Sequence, residues 1–542
     1  MNIRMAPLLS AALVAGTAFR LAAVENWSVS TVPELTDALS RSSAGDTITL
    51  AKGVYELKDV VTGNDAHLNF PHRLVLRGDP SLDRGEVVLD GGLDGHRTIF
   101  FANADANGSL VANLTIRNSK NADGGAYYTA YRNGDATLWG SFSNCVFRGN
   151  QANDGGCGRG GTLTDCLFEG NQSTTGYGAA VYYQAKLVRC TFRGNTSKTY
   201  ATLYNGCTAY DCTFDSNTNL NGKAIDMYGG RACGCTFTGT PYGGYSCQDM
   251  SVVSNCTFAG FTVMPSSRFV SMAPEGTPIL DSRFRDNPTD GTRIYTHPLI
   301  GCTVESSARD CTMSNCTLRT LTDPALFERL NLVDCTVESP MTDGVLTRCT
   351  VRNIHDTRAI FAESAVLTNC LIVNNGNAKS CTMFYTDKTT KGGHLVNCTV
   401  VSNSAQIFRG TVDSSAINTV FFGNTYDDGK TGCDISCDNY NFPSLTNCVF
   451  QTVGTKPVRE SNRVNCLQLG SNETPRFNMG RYPDYPAFMP RRSSKLVDRG
   501  SEEVVWPADA TDMSGRGRIN RLRVDVGAFE NWYSEGISII VR

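Results

Sequence analysis

The chain has almost no charge of either sign to spare: 49 lysines and arginines stand against 52 aspartates and glutamates, a formal net charge of −3. Nucleic acid is disfavoured as a partner, because binding a polyanion rests on a basic excess that releases its counterions. Beyond the N-terminus no apolar run reaches eighteen residues, so no transmembrane helix is expected in the mature chain. Histidine is scarce, and the six present (67, 72, 96, 297, 355, 394) show no spacing of a base with its partner. Disorder is excluded in turn by 41% hydrophobic and 9% aromatic residues, enough to bury a large core. What the chain has in excess is glycine, 52 residues, and cysteine, 22.

Met1–Ala23 has the layout of a secretory signal, with Arg4 ahead of the apolar Ala6–Phe19 and small residues at Ala22 and Ala23. Thr31-Val-Pro-Glu34 then reads as a capping box, followed by Leu35, Ala38 and Leu39 at helical spacing. Ala44–Leu50 ends that helix and starts a strand with Ile48 and Leu50 on one face.

From residue 144 a short phrase returns: NCVFRGN (144–150), DCLFEGN (165–171), RCTFRGN (189–195), DCTFDSN (211–217), GCTFTGT (234–240), NCTFAGF (255–261). Degraded copies follow at Ser282, Cys302, Cys316, Cys335, Cys349, Cys370, Cys398, Thr419 and Cys448. A fixed period of this size marks a solenoid, whose repeats bury their faces only by stacking. The phrase alternates with period two, so it is a strand with Cys145 and Phe147 inward and Val146 and Arg148 outward, closed by a turn at Gly149-Asn150. One strand per roughly 22 residues leaves room for two more strands, which is the rung of a parallel β-helix. About 15 or 16 rungs at ~4.8 Å would make a rod on the order of 75 Å long. The outward residue three after each cysteine alternates in sign wherever it is charged (Arg148, Glu169, Arg193, Asp215, and later Arg285, Glu305, Arg319, Glu338, Arg352), as in-register parallel stacking requires. Two steps of only 14 residues, from 302 to 316 and from 335 to 349, keep that alternation and read as tight rungs.

Fifteen of the cysteines occupy the inward strand position. An exported chain rich in cysteine suggests disulfides, but stacked parallel neighbours rarely offer the crossed Cβ vectors that a disulfide needs. A ladder of small apolar thiols is favoured instead. No metal is implied: Cys233/Cys235 and Cys433/Cys437 are single pairs with no second pair or histidine at ligand spacing. The acidic loop around Cys433 and Cys437 reads as a surface insertion, with a disulfide or a weak calcium loop as alternatives.

The pairing of Gly-Gly-Ala-type strands (Gly124–Tyr127, Gly178–Val181) with Phe-x-x-Asn (Phe147/Asn150, Phe168/Asn171, Phe192/Asn195, Phe214/Asn217, Phe284/Asn287) resembles the repeat of polymorphic outer-membrane proteins. Gly45–Tyr55 is similar to the first strands of pectin-lyase-like β-helices. The tail, Ser494–Gly500, Asp512–Arg518 and Val524–Glu530, resembles the end of bacterial choice-of-anchor Q proteins. These resemblances imply an exported, single-stranded right-handed parallel β-helix at the outer surface of a bacterium or secreted by it. They divide the chain into a signal peptide (1–23), a β-helix with its N-terminal cap (24–480) and a C-terminal cap segment (481–542). The β-barrel translocator of polymorphic membrane proteins finds no room in the 12 residues after Glu530.

The pectate-lyase phrase Trp-Ile-Asp-His and the polygalacturonase phrases Asn-Thr-Asp and Gly-His-Gly are absent. Twelve of the 20 tyrosines fall between residues 127 and 245, and with Val181, Leu203 and Met227 inward, Tyr182, Tyr204 and Tyr228 project outward on three consecutive rungs. Such a face is either a glycan-binding groove or an aromatic stack that stiffens the rod. Lys223, Asp226 and Arg231, expected beside it, are the candidates for catalysis. The sequence leans towards a non-enzymatic surface or adhesion protein that binds glycan or another surface protein. The alternative is a lyase or glycoside hydrolase acting on acidic polysaccharide. A lyase would call for calcium, and no other cofactor is implied.

Overall fold

A computed structural model describes residues 24–532, apart from 130–139, 221–225, 239–245, 262–269, 286–296, 320–326, 386–391, 438–442, 453–457 and shorter runs. The signal segment and Lys223 lie outside the described residues.

The N-terminal helix, Val32–Arg41, forms where the capping box places it: Thr31 Oγ1 accepts from Glu34 N, and Glu34 Oε2 accepts from the backbone N–H groups of Ser30 and Thr31. Leu35, Ala38 and Leu39 are buried against the first strands, so the helix closes the end of the coil. The strand Thr47–Leu50 follows with Ile48 and Leu50 buried.

Beyond it the chain is the expected parallel β-helix, its strands paired in parallel from rung to rung. The repeated phrase builds one sheet of 19 strands, from Gly53–Glu56 to Leu467–Gln468. That exceeds the 15 or 16 rungs read from the phrase, because rungs before residue 144 fill the inward positions without cysteine: Tyr55 pairs with Leu89, Leu89 with Ile116, and Ile116 with Phe147. The 14-residue steps are real rungs, with Thr303 opposite Thr317 and Thr336 opposite Thr350. A second sheet of 27 strands and several short sheets complete the coil.

The residue before each cysteine is a sharp corner in the left-handed region: Asn144, Asp165, Arg189, Asp211, Asn255, Asn315, Asn369 and others have φ near +50°. Asn and Asp tolerate this conformation best after glycine, which explains their recurrence there. The turn that the sequence placed at the other end of the phrase is there as well, with Gly149 at φ 64°, and Asn150 beside it has a further task. Asn150, Asn171, Asn195 and Asn217 are fully buried and form a ladder. The side-chain oxygens of Asn171, Asn195 and Asn217 each accept the backbone N–H and the amide of the previous rung at 3.0 Å, that of Asn150 accepts from Ser119 N, and each amide also donates to a carbonyl inside the coil. All of their hydrogen-bonding capacity is used, as burial demands.

Inside, Phe147, Phe168, Phe192, Phe214, Phe237, Phe258 and Phe284 stack with centroids 4.7–5.1 Å apart and planes within 14°. The cysteine column runs beside them. All 22 cysteines are free thiols and all but Cys233 and Cys466 are buried. Most of the ladder thiols donate to carbonyls of their own or the preceding rung, as Cys145 does to Val111 and Ser143. A thiol reagent should therefore label no more than Cys233 and Cys466 in the native protein and all 22 after denaturation; fewer than about 20 on denaturation would overturn the ladder.

The alternating outward charges meet in register. Arg148 pairs with Glu169 at 2.8 Å, Arg193 with Asp215 at 3.5 Å, and Arg352 with Glu338 at 2.9 Å, while Glu305 pairs with Arg319 and also with Arg283, two residues before the alternating position at Arg285. Each exposed pair contributes little, but a slip of register would bring like charges together. From residue 371 this face turns apolar, and the reason lies in the tail. The tail folds back over it, so that Phe477, Leu496 and Val526 bury Leu371, Val401, Val420 and Val449. The corner asparagines hold its backbone: Asn369 donates to Thr511 O and Asn397 to Asp525 O, and Asn418 accepts from Ser501 N.

Candidate functional site

The outward tyrosines belong to a longer column. Phe100, Tyr128, Arg159, Tyr182, Tyr204 and Tyr228 are successive partners in parallel register, one per rung. Six rungs at ~4.8 Å give a stripe of about 24 Å. Their inward neighbours hold them in place: Val181, Leu203 and Met227 are buried, and Gly158 is the residue that fits beneath Tyr127, whose ring would lie 1.9 Å from an added Cβ.

The rings lie face to face along the rod. Tyr182 and Tyr204 are 5.8 Å apart with planes at 8°, and Tyr204 and Tyr228 are 4.8 Å apart at 17°. Tyr177 stacks on Tyr204 at 4.5 Å, and Tyr200 packs against Tyr177, Tyr204 and Tyr228 at 5.1–5.4 Å. Because the faces are occupied by neighbouring rings, the column offers solvent its edges and hydroxyls. Burial, and then the surrounding tyrosines, push the Tyr204 hydroxyl up to about 12, so it stays a neutral donor.

At the N-terminal end of the column two arginines enclose Tyr128. The Arg97 and Arg159 guanidinium carbons lie 4.7 Å and 5.1 Å from the ring centre, and Arg159 Nη1 donates to the Tyr128 hydroxyl at 2.7 Å. Arg97 donates to Asn121 Oδ1 at 2.6 Å, and Asp123 lies 3.5 Å from Arg159.

The other candidates are dispersed. Asp226, expected beside the tyrosines, is turned into the coil and buried, where it accepts from Asn217 Nδ2 at 3.1 Å and Ser246 Oγ at 2.9 Å. It ends the asparagine ladder, and burial pushes it up to about 7. It precedes the strand that starts at Met227, so the alternation of that strand does not reach it. Arg231 is exposed but lies opposite Thr208, past a register shift at Gly230/Arg231, away from the column. The catalytic grouping of Lys223, Asp226 and Arg231 is therefore not assembled among the described residues.

One grouping escaped the spacing argument. Asp94 lies 3.4 Å from His67 Nε2 and 3.2 Å from His96 Nδ1, and the buried His67 turns Nδ1 to Val60 O at 2.5 Å. Asp94 and His96 flank one glycine, but His67 comes from the strand Ala66–Phe70. Among the described residues no three such groups are arranged to hold a metal ion, and no helix is long and apolar enough to cross a membrane. A cavity of about 790 Å³ between the tail and the last rungs is lined by Lys495, Arg499 and Arg523 as well as Asp498, Glu502 and Glu503.

No family model matches the chain, and no curated protein does. Among solved structures it is similar to the PL6 family alginate lyase AlyGC, with 12% identity over 82% of this chain and 93% of that one and a TM-score of 0.21. It is similar also to the A-module of the mannuronan C-5 epimerase AlgE6 of Azotobacter vinelandii (13%, 82% and 96%, 0.21) and to tailspike protein 3 of bacteriophage CBA120 (12%, 82% and 59%, 0.24). Scores this low leave the fold to rest on the chain's own strand pairing.

Proposed function

We propose that this is an exported, non-enzymatic rod, secreted by a bacterium or displayed on its surface, that binds an extended glycan along its aromatic column. The column carries the reading. It presents side-chain edges along a stripe of about 24 Å, with hydroxyls on the three consecutive rungs of Tyr182, Tyr204 and Tyr228, a surface suited to a polymer rich in hydroxyl groups. A surface protein is the other class of ligand for such a rod, and the three consecutive tyrosine hydroxyls favour the glycan. The candidate catalytic carboxylate, Asp226, is buried and fully hydrogen-bonded.

The test is a panel of neutral and acidic polysaccharides offered to the parent chain and to the triple variant Tyr182→Phe, Tyr204→Phe, Tyr228→Phe. The variant keeps the rings and loses only hydroxyls, so its melting temperature should match that of the parent. Its affinity should fall at least about tenfold, from the loss of three hydrogen bonds of about 0.5–1.5 kcal/mol each. Absence of binding to any glycan, or equal binding by the variant, overturns the reading.

The alternative, a lyase or glycoside hydrolase acting on acidic polysaccharide, is favoured by one observation: His96, one-third exposed, is backed by Asp94, the arrangement of a general base with its orienting carboxylate. Release of unsaturated uronides by the parent, lost in His96→Ala, would establish it in place of the binding rod.

A further inference from the structure

The column is not uniform along its length. Towards the C-terminus it is tyrosine alone, whereas its N-terminal end carries two guanidinium groups on either side of Tyr128. Arg97 is 8% exposed and Arg159 has 21% of its side chain exposed, yet each keeps a buried Nε without a hydrogen-bond partner among the described residues. The polar partners around them are mostly neutral: Asn121 for Arg97 and the Tyr128 hydroxyl for Arg159. Among the described residues Asp123 is the carboxylate within ion-pair reach of Arg159, at 3.5 Å, with 43% of its side chain exposed, and Asp123 and Asp65 both lie near enough to Arg97 to favour its charge. A buried cation is stabilised by an anion that shares its desolvated surroundings, and neither Asp123 nor Asp65 bonds the two buried Nε groups, which leaves such a position open.

We propose that Arg97, Tyr128 and Arg159 form an anion subsite at the end of the column, so that the glycan held there is one with charged groups, carboxylate or sulfate, along its chain. This rests on the glycan reading and adds the chemical class of the ligand. Arg159 makes the contact through its exposed part, displacing Asp123. Arg97 lies beneath and supplies charge, and Tyr128 holds the two guanidinium groups apart. The neighbouring tyrosines then bind the uncharged hydroxyls of the following residues.

The experiment measures binding of hexasaccharides of a polyuronate, of the same oligosaccharides after reduction of their carboxyl groups to alcohols, and of a sulfated glucan hexasaccharide. The parent chain should prefer at least one of the charged ligands to the neutral one by about tenfold or more, the size of one charge-assisted hydrogen bond. The preference should shrink with added salt, and the two charged ligands separate carboxylate from sulfate. Arg159→Gln should abolish the preference, bringing affinity for the charged ligand down to that for the neutral one. Asp123→Asn should strengthen binding of the preferred charged ligand, a gain that a damaged fold cannot produce. Equal affinity for charged and neutral ligands, preference retained in Arg159→Gln, or no gain in Asp123→Asn overturns the anion subsite and leaves the glycan rod intact. Absence of binding to all three ligands by the parent, together with a failure of the wider polysaccharide panel, overturns both.

Discussion

Replacing Arg518 by alanine is expected to detach the tail from the side of the rod while leaving the coil folded. Arg518 is fully buried, with Nε 3.1 Å from Glu530 Oε1 and Nη2 donating to the carbonyls of Gly527 at 2.6 Å and Asp525 at 3.2 Å. The Glu530 carboxyl also accepts from Asp525 N, and the Glu530 backbone N–H is held by Asp512. Burial raises the Glu530 carboxyl even beside the arginine. Removing the guanidinium strands this carboxyl and two carbonyls in the interior, a loss of about 3–5 kcal/mol for breaking a buried pair on one side. The cost falls on the tail, because each rung of a solenoid is stabilised by its own neighbours. Release would uncover Leu371, Val401, Val420 and Val449 on the outer face of the coil. Limited proteolysis should then cut the variant within 470–532, and a dye for apolar surface should bind it, while the buried thiols stay protected. Protease resistance equal to that of the parent would contradict the assignment.

The motif carrying this pair was visible in the sequence as a family likeness, but its work was not. Asp512–Arg518 and Val524–Glu530 look like loop sequence, and nothing local says that they lie on rungs more than a hundred residues earlier. The sign was indirect: the outward position three after the cysteine, charged up to Arg352, becomes Val373, Val401 and Phe422. What could be read directly was whatever repeats with period two inside one strand, namely the inward Cys145 and Phe147, the alternating Arg148 and Glu169, and the outward Tyr182, Tyr204 and Tyr228. The alternation loses its meaning at corners. Asp226 stands just before its strand and points inward for that reason, and Asn150, read as a turn residue, is a rung of a buried ladder. His67 met Asp94 and His96 through loops of unequal length, which no spacing rule covers. The arginines beside Tyr128 were hidden too, because Arg159 interrupts the tyrosine pattern that made the column recognisable.

Stability is expected to fall as pH rises from about 4 to 7, and much of that slope should vanish in Asp226→Asn. The ladder is directional: each asparagine needs an acceptor on the next rung, and the phrase after Asn217 ends in Thr240, with no asparagine to serve. Asp226 fills the place from a neighbouring corner, as Asp434 does for Asn424 at the end of a second ladder of Asn375, Asn403 and Asn424. A carboxyl suits the end because its oxygens accept, but burial charges it for ionising, and the two donors do not offset that cost, so its pKa rises from 3.8 to about 7. Between those values the folded chain keeps a proton that the unfolded chain has released, and stability declines with rising pH through that window and levels off above it. The difference corresponds to a loss on the order of 4 kcal/mol, at 1.36 kcal/mol per pH unit. Asp525, which burial pushes up to about 6, contributes with the same sign, as do Asp434 and Glu530, the latter pushed up to about 9 so that its part of the decline continues above pH 7. The exposed carboxylates lowered by arginine, such as Asp165, are ionised in both states above about pH 5 and add no slope there. In Asp226→Asn the side-chain oxygen still accepts from Asn217 and the amide can donate to Ser246, so the ladder closes without a titrating group. The urea midpoint of the parent should decrease from pH 5 to pH 8, and that of the variant should change by distinctly less over the same range. Parallel profiles for the two proteins would show that Asp226 is not the group that makes the ladder sensitive to pH.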